Sequence, residues 1–271
     1  MSGMLSGRMT IRTPVSARVV HVAAVCLMLL SGACAEQAPP ADPAPLRLFS
    51  SNGVRAAIEA IQPAIEKAAG VRLAPTFSTA AALKRQIDAG EAFDVAILTP
   101  ALMDDLVTQG KVVADSRTDL ARVGVGVGAR EGAPRSDVTT PAGLKQTLMD
   151  AKVVAYTAEG QSRATVDKAL AQLGMTEAVA AKAMLTGPGE GPGAVAAGKA
   201  DLVMTLISEI LVPGVQLLGP FPAEMQNYIV FTGARGAGAR DTEAANAVLR
   251  FLTGPEAAAA MKAHALEPIV K

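Results

Sequence analysis

The chain predicts a two-lobed α/β fold, and three observations carry that reading. A strand, a polar elbow and a helix start recur along the sequence; a glycine-rich strand crosses its middle; and alanine-rich helices close it. The elbow at residues 46–58 sets the pattern. Leu46, Leu48 and Phe49 read as a strand, Ser50, Ser51, Asn52 and Gly53 are loop and cap types, and Ile58, Ile61 and Ile65 fall at helical spacing. Such an elbow gathers unpaired N–H groups where the helix dipole favours negative charge, so it can hold an anion without a basic side chain.

The pattern repeats in order. Residues 71–77 read as a strand, Ser78 and Thr79 as a cap, and residues 80–89, beginning at Ala80, as a helix closed by Gly90. Residues 93–98 form a buried-strand pattern that runs into Thr99 and Pro100, a cap followed by a residue suited to a first helical turn. In a parallel sheet these three elbows share the carboxyl edge, where open α/β sheets bind ligands. Residues 122–130 alternate valines with glycines and are taken as one crossover strand. A helix starts at Pro141, residues 153–156 form a strand, and Gly160, Gln161 and Ser162 open the helix that runs to Gly174, a fourth elbow in a second lobe. Residues 187–193 are loop by composition, 202–205 and 215–220 are strands, 228–231 is the candidate return crossover, and 242–252 and 255–264 are helices.

Composition narrows the function. The 271 residues carry 25 basic and 25 acidic side chains, and with Arg8, Arg12 and Arg18 set aside the remainder holds 22 against 25, so a basic footprint for nucleic acid is missing. There is no Trp, and the only histidines are His21 and His264, which leaves neither a stacking platform nor a His-based metal site. The sequence implies no cofactor. Gly193, Gly198 and Lys199 imitate a phosphate loop, but Ala200 stands where the magnesium-binding hydroxyl belongs. No Gly-x-Ser-x-Gly elbow is present, His264 lies in the tail, and Asp94, inside an apolar strand, reads as a structural acceptor; Asp104, Asp105 and Glu209 are the carboxylates otherwise available. Oriented hydroxyls and amides without reactive groups describe a binder, not an enzyme.

The amino terminus reads as an export signal over residues 1–35, with an apolar run of about a dozen residues after Arg18 that is too short to span a bilayer. Two processing routes fit: cleavage after Ala35, or a lipobox-like Gly-Ala-Cys in which Cys34 is acylated and becomes the only membrane attachment. Residues 36–45, with Pro39, Pro40, Pro43 and Pro45, form a stiff linker. Either route places the protein outside the cytoplasmic membrane, periplasmic or lipid-anchored.

Residues 77–90 (Phe-Ser-Thr-Ala-Ala-Ala-Leu-Lys-Arg-Gln-Ile-Asp-Ala-Gly), 93–97 (Phe-Asp-Val-Ala-Ile) and 251–258 (Phe-Leu-Thr-Gly-Pro-Glu-Ala-Ala) together resemble the type II periplasmic solute-binding proteins of ABC importers, and within them the molybdate/tungstate-binding receptors. The resemblance implies a periplasmic-binding-protein type II fold: lobe 1 from residues 46–125 and 227–271, lobe 2 from 126–226, two crossover hinge strands, and last helices returning to the first lobe. It implies a monomer that takes a small anionic or polar ligand in the interlobe cleft and docks on an importer permease. In the molybdate receptors serine hydroxyls, backbone N–H groups and a second-lobe tyrosine hold the oxyanion. Carried over, those positions fall at Gly53, with Ser50, Ser51 and Asn52 just before it, then at Thr79 or Ala80, at Thr99, at Ser162 and at Leu206. Gly53 and Leu206 lack the expected hydroxyls, so the resemblance supports a small polar ligand more firmly than molybdate itself. Two other readings stay open on the same scaffold: a sensory or accessory protein signalling to a membrane partner, and an extracellular enzyme.

Overall fold

The computed structural model describes residues 44–269. The export signal, Cys34 and all of the linker except Ala44 and Pro45 lie outside the described residues. Among those described, no helix is long and apolar enough to cross a membrane.

The first part of the chain alternates strand and helix: β1 (Leu46–Ser51), a 3-10 turn (Asn52–Val54), α1 (Arg55–Ala69), β2 (Leu73–Ser78), α2 (Ala80–Asp88), β3 (Val95–Leu98), α3 (Pro100–Thr108) and β4 (Thr118–Val123). The second part runs β5 (Val125–Arg130), α4 (Pro141–Asp150), β6 (Val154–Thr157), α5 (Gln161–Leu173), α6 (Thr176–Ala180), β7 (Ala183–Thr186), α7 (Gly191–Ala196), β8 (Leu202–Leu206), α8 (Ile207–Ile210) and β9 (Val215–Pro220). The chain then adds β10 (Ile229–Arg235), α9 (Thr242–Leu252), α10 (Pro255–Ala263) and β11 (Glu267–Pro268).

Two sheets result. The first has the order β11-β4-β10-β3-β1-β2 and the second β7-β6-β8-β5-β9, so the fold is two-lobed. Strands β1, β2 and β3 are parallel, which sets the ends of all three on one edge as the repeated elbows require. Strand β10 returns antiparallel between β3 and β4. Helices α9 and α10 pack on α1, where Ile58, Ile61 and Ile65 meet Val248 and Leu252 in one buried cluster. Burying each such side chain contributes about 1.5–3 kcal/mol.

The run 122–130 is not one strand, as its alternation suggested, but two, broken at Gly124. A side chain at 124 would meet the Gln226 carboxamide at 2.9 Å. Gln226 needs that space because it clamps the next residue, accepting from Val125 N–H at 2.8 Å and donating to the Val125 carbonyl at 2.8 Å. The outgoing crossing is thereby tied to the returning one, which lies between β9 and β10.

Asp94, expected to be a structural acceptor, is fully enclosed. It accepts from the Arg47 backbone at 2.8 Å, from the Arg47 guanidinium, and from the Arg240 backbone at 3.0 Å. Burial alone would raise its carboxyl; the Arg47 and Arg240 donors overcome this and hold it well below the ordinary aspartate value. The group fastens β1 to the segment before α9 and takes no part in the cleft.

Candidate functional site

The elbows converge where the two sheets face each other. Ser51 and Asn52, at the end of β1, and Thr79 and Ala80, at the start of α2, meet Thr157 to Ser162 at the end of β6, Pro188 and Gly189 after β7, and Leu206 and Glu209 around α8. Ile229 and Phe231 of β10 form the apolar floor. The cavity is small, about 40 Å³, with room for a few water-sized groups. A more open groove of about 660 Å³ beside Arg130, Glu131 and Asp201 contains none of the predicted site residues.

Contacts across the cleft hold it closed. The Ser208 hydroxyl donates to the Gly53 carbonyl at 2.7 Å, and both groups are buried. Arg85 Nη2 lies 3.3 Å from Glu159 Oε1 at the exposed rim. Gly160 sits against Thr79, and its φ of 114° lies in the range open to glycine, which lets the loop turn into α5 beside the opposite elbow.

Each donor has a local origin. Thr79 caps α2, accepting from Ala82 N–H at 3.1 Å, and keeps its own hydroxyl proton for another acceptor. Helix α5 spans 13 residues, and no side chain caps its first turn; Gly160, Gln161 and Ser162 at its start line the cleft, on the positive end of the helix dipole. Asn52 Oδ1 and Thr157 Oγ1 are buried at the cavity without a hydrogen-bond partner. Stranded buried polar atoms are uncommon and costly, so two at one cavity mark a place where something else supplies the partner. Among the described residues, no lysine, arginine or histidine lines the cavity.

Glu209 was available in the sequence only as one carboxylate among several. It stands four residues after Thr205, whose hydroxyl donates to Glu209 Oε2. The side chain is partly exposed, yet it lines the cavity and is hemmed in by protein. Burial pushes its carboxyl above the ordinary glutamate value, against the opposing pull of the Thr205 hydroxyl.

Of the sequence-predicted residues, Ser51, Asn52, Thr79, Ala80 and Ser162 line the cavity, whereas Ser50, Gly53 and Thr99 do not. Ser50 points into the sheet, its hydroxyl donating to the Ser51 carbonyl at 3.4 Å. Thr99 is buried with its hydroxyl unpartnered, away from the lining. Gly53 carries packing instead of chemistry: a Cβ there would lie 2.3 Å from Phe231 Cζ and 2.7 Å from Leu206 Cδ1. A serine at 53 has no room.

Residues 46–267 match the family described as bacterial extracellular solute-binding proteins. The chain belongs to that family. Among curated relatives it is similar to an aconitate isomerase from a Pseudomonas species, 34% identical over 232 residues, which cover 83% of this chain and 88% of that one. Among solved structures it is similar to the periplasmic molybdate-binding protein of Azotobacter vinelandii, with a TM-score of 0.68 and 16% identity over 83% of this chain and 99% of that one. It is also similar to a tungstate-binding protein of Desulfovibrio alaskensis, with a TM-score of 0.57 and 15% identity over 84% and 100% of the two chains. The structural likeness shows the shared two-lobed fold.

Proposed function

We propose that this solute-binding protein captures a small anion, an inorganic oxyanion or a compact carboxylate, in the cleft between lobes 46–125/227–271 and 126–226, and presents it to an ABC importer permease. The observation that supports the reading is the cavity's chemistry: beside the carboxyls of Glu159 and Glu209 it offers neutral hydroxyls, a carboxamide and an uncapped helix start, with Asn52 Oδ1 and Thr157 Oγ1 buried without partners and, among the described residues, no cation in the lining. Neutral dipoles in a dry cleft replace a hydration shell and select by size and geometry rather than by net charge. Ser51, Asn52, Thr79, Ala80, Thr157 and Ser162 are the contacts. A thermal-shift panel of molybdate, tungstate, sulfate, phosphate, citrate and cis-aconitate tests it: a binder at a thousandfold excess over its dissociation constant stabilises the fold by about 4 kcal/mol. A panel in which no anion raises the melting temperature refutes it.

A second reading has its own support. Glu209 is a carboxyl that burial raises above the ordinary glutamate value beside the ligand space, and the relative at 34% identity is named aconitate isomerase. On this reading a cleft opened wider than the cavity of about 40 Å³ binds an unsaturated tricarboxylate and Glu209 moves a proton on it, a role that a carboxyl raised by burial suits. Incubation with cis-aconitate, followed by proton NMR for the trans isomer, decides it: conversion by wild type that is lost in Glu209→Gln supports the reading, and an unchanged spectrum refutes it.

A further inference from the structure

A carboxylate is the wrong charge for a cavity that takes an anion, and that conflict identifies what Glu209 does. Thr205 Oγ1 engages one carboxyl oxygen, and among the described residues no protein group donates to the other. The adjacent Ser208 joins α8 to Gly53 across the cleft, so the carboxyl is fixed at the cavity wall when the lobes meet. Among the described residues no cation in the cavity lining neutralises it. The elements packed on α8 are β5, β8, β9 and the turn Asn52–Val54. Strands β8 and β9 and that turn carry no titratable side chain, and β5 has only Arg130, at its opposite end beside Gly198. Across the cavity stands Glu159, itself paired with Arg85 at the rim.

We propose that Glu209 is a ligand-contacting, specificity-determining acid: in the complex it carries a proton on the oxygen that Thr205 leaves free and donates it in a hydrogen bond to an anionic oxygen of the ligand, so that wherever the free protein's Glu209 is ionised, anion binding takes up one proton from solvent. An ionised Glu209 would set two negative oxygens against each other with no water between them, whereas the protonated acid makes a short charge-assisted O–H···O⁻ bond. The burial that raises this carboxyl is consistent with that state. The coupling also sorts ligands: an anion that keeps its full charge and needs a donor gains, and one that offers its own acidic proton meets a second donor and loses.

The inference rests on the anion-binding reading, and the experiment separates the two. With citrate as the carboxylate probe and molybdate as the oxyanion probe, calorimetric titrations at several pH values, each in two buffers of different ionisation enthalpy, report proton uptake. Wild type is expected to take up close to one proton per anion at the alkaline end, its affinity falling toward tenfold per pH unit there. Glu209→Gln, which keeps a neutral donor, is expected to bind within about threefold of the best wild-type value with no uptake and a flat profile. Uptake of no proton by wild type, or uptake retained in Glu209→Gln, overturns the proposal. A ligand-free arm reads Glu209 directly: the infrared C=O band of a protonated carboxyl is expected in wild type at pH 7 and lost in Glu209→Gln. Its absence from wild type overturns the proposal even if neither probe binds, whereas its presence without binding refutes only the choice of anions.

Discussion

Replacing Gly53 by serine restores the residue that the molybdate-receptor pattern expects, and the structure says that the protein should respond badly. The new Cβ would stand 2.3 Å from Phe231 Cζ, 3.0 Å from Phe231 Cε1 and 2.7 Å from Leu206 Cδ1, all inside the distance that carbon atoms tolerate. Phe231 is 1% exposed and sits in the middle of the first sheet, so its ring has nowhere to swing. Leu206 belongs to the second sheet, so part of the clash vanishes only if the lobes separate. Overpacking of this kind costs about 1–3 kcal/mol, which for a domain of this size lowers the melting temperature by roughly 2–12 °C. The variant should therefore unfold earlier and lose anion-induced stabilisation, because closing onto a ligand now meets the Leu206 contact. Adding Phe231→Leu and Leu206→Ala should recover closure more than it recovers stability. Thermal unfolding with and without the best anion of the panel measures both. A Gly53→Ser protein as stable as wild type, with undiminished ligand stabilisation, would sink the packing account of this position.

Three further outcomes are expected. Asp94→Ala takes the acceptor from the backbone N–H groups of Arg47 and Arg240, whose guanidinium groups stay partly in water, and should cost about 1–3 kcal/mol, read by denaturant unfolding; because its folded-state carboxyl is depressed, the stability it contributes is present above the ordinary aspartate value of 3.8 and disappears as pH falls below it. Glu209 has the opposite sign: its carboxyl is raised, so its contribution is intact below the ordinary value of 4.5 and is lost as pH climbs through the folded-state value, and Glu209→Gln should hold its melting temperature over the range where wild type declines. Asn52→Ala with Thr157→Val removes both stranded polar groups, so the ligand-free protein should be as stable or slightly more stable while ligand stabilisation falls; a double variant with full ligand stabilisation would place the contacts elsewhere.

The elbows were legible because each is written locally. Ser51-Asn52, Thr79-Ala80 and Gly160-Gln161-Ser162 announce a strand end and a helix start within a few residues, and parallel pairing brings their ends together. Thr99 was just as legible as a cap and still faces away, since cap chemistry says nothing about which elbow the opposite lobe covers. Glu209 was hidden for a different reason. It lies in a helix of 4 residues, too short for periodicity, and its meaning depends on Phe231, Asn52 and Thr157, which are distant in sequence. The Thr205 to Glu209 spacing was the one local hint. At Gly53 the sequence showed only that a glycine stands where the resemblance expects a serine; the packing that leaves no room for one comes from a ring 178 positions later. Strand β7 escaped notice because it lies at a sheet edge with Leu185 54% exposed, so its sequence shows no buried face.

Gln226 gives the molecule a mechanical property. A single carboxamide satisfying both backbone groups of Val125 acts as a rivet between the outgoing crossing at the start of β5 and the returning segment between β9 and β10. Two loose connections would let the lobes twist, slide and bend; two riveted ones leave bending as the soft coordinate. With bending as the soft coordinate, Glu209 and the α5 start, on one side of the rivet, keep their register to Ser51 and Thr79 on the other. The selectivity of a cavity only a few atoms wide depends on that repeatability as much as on the groups that line it.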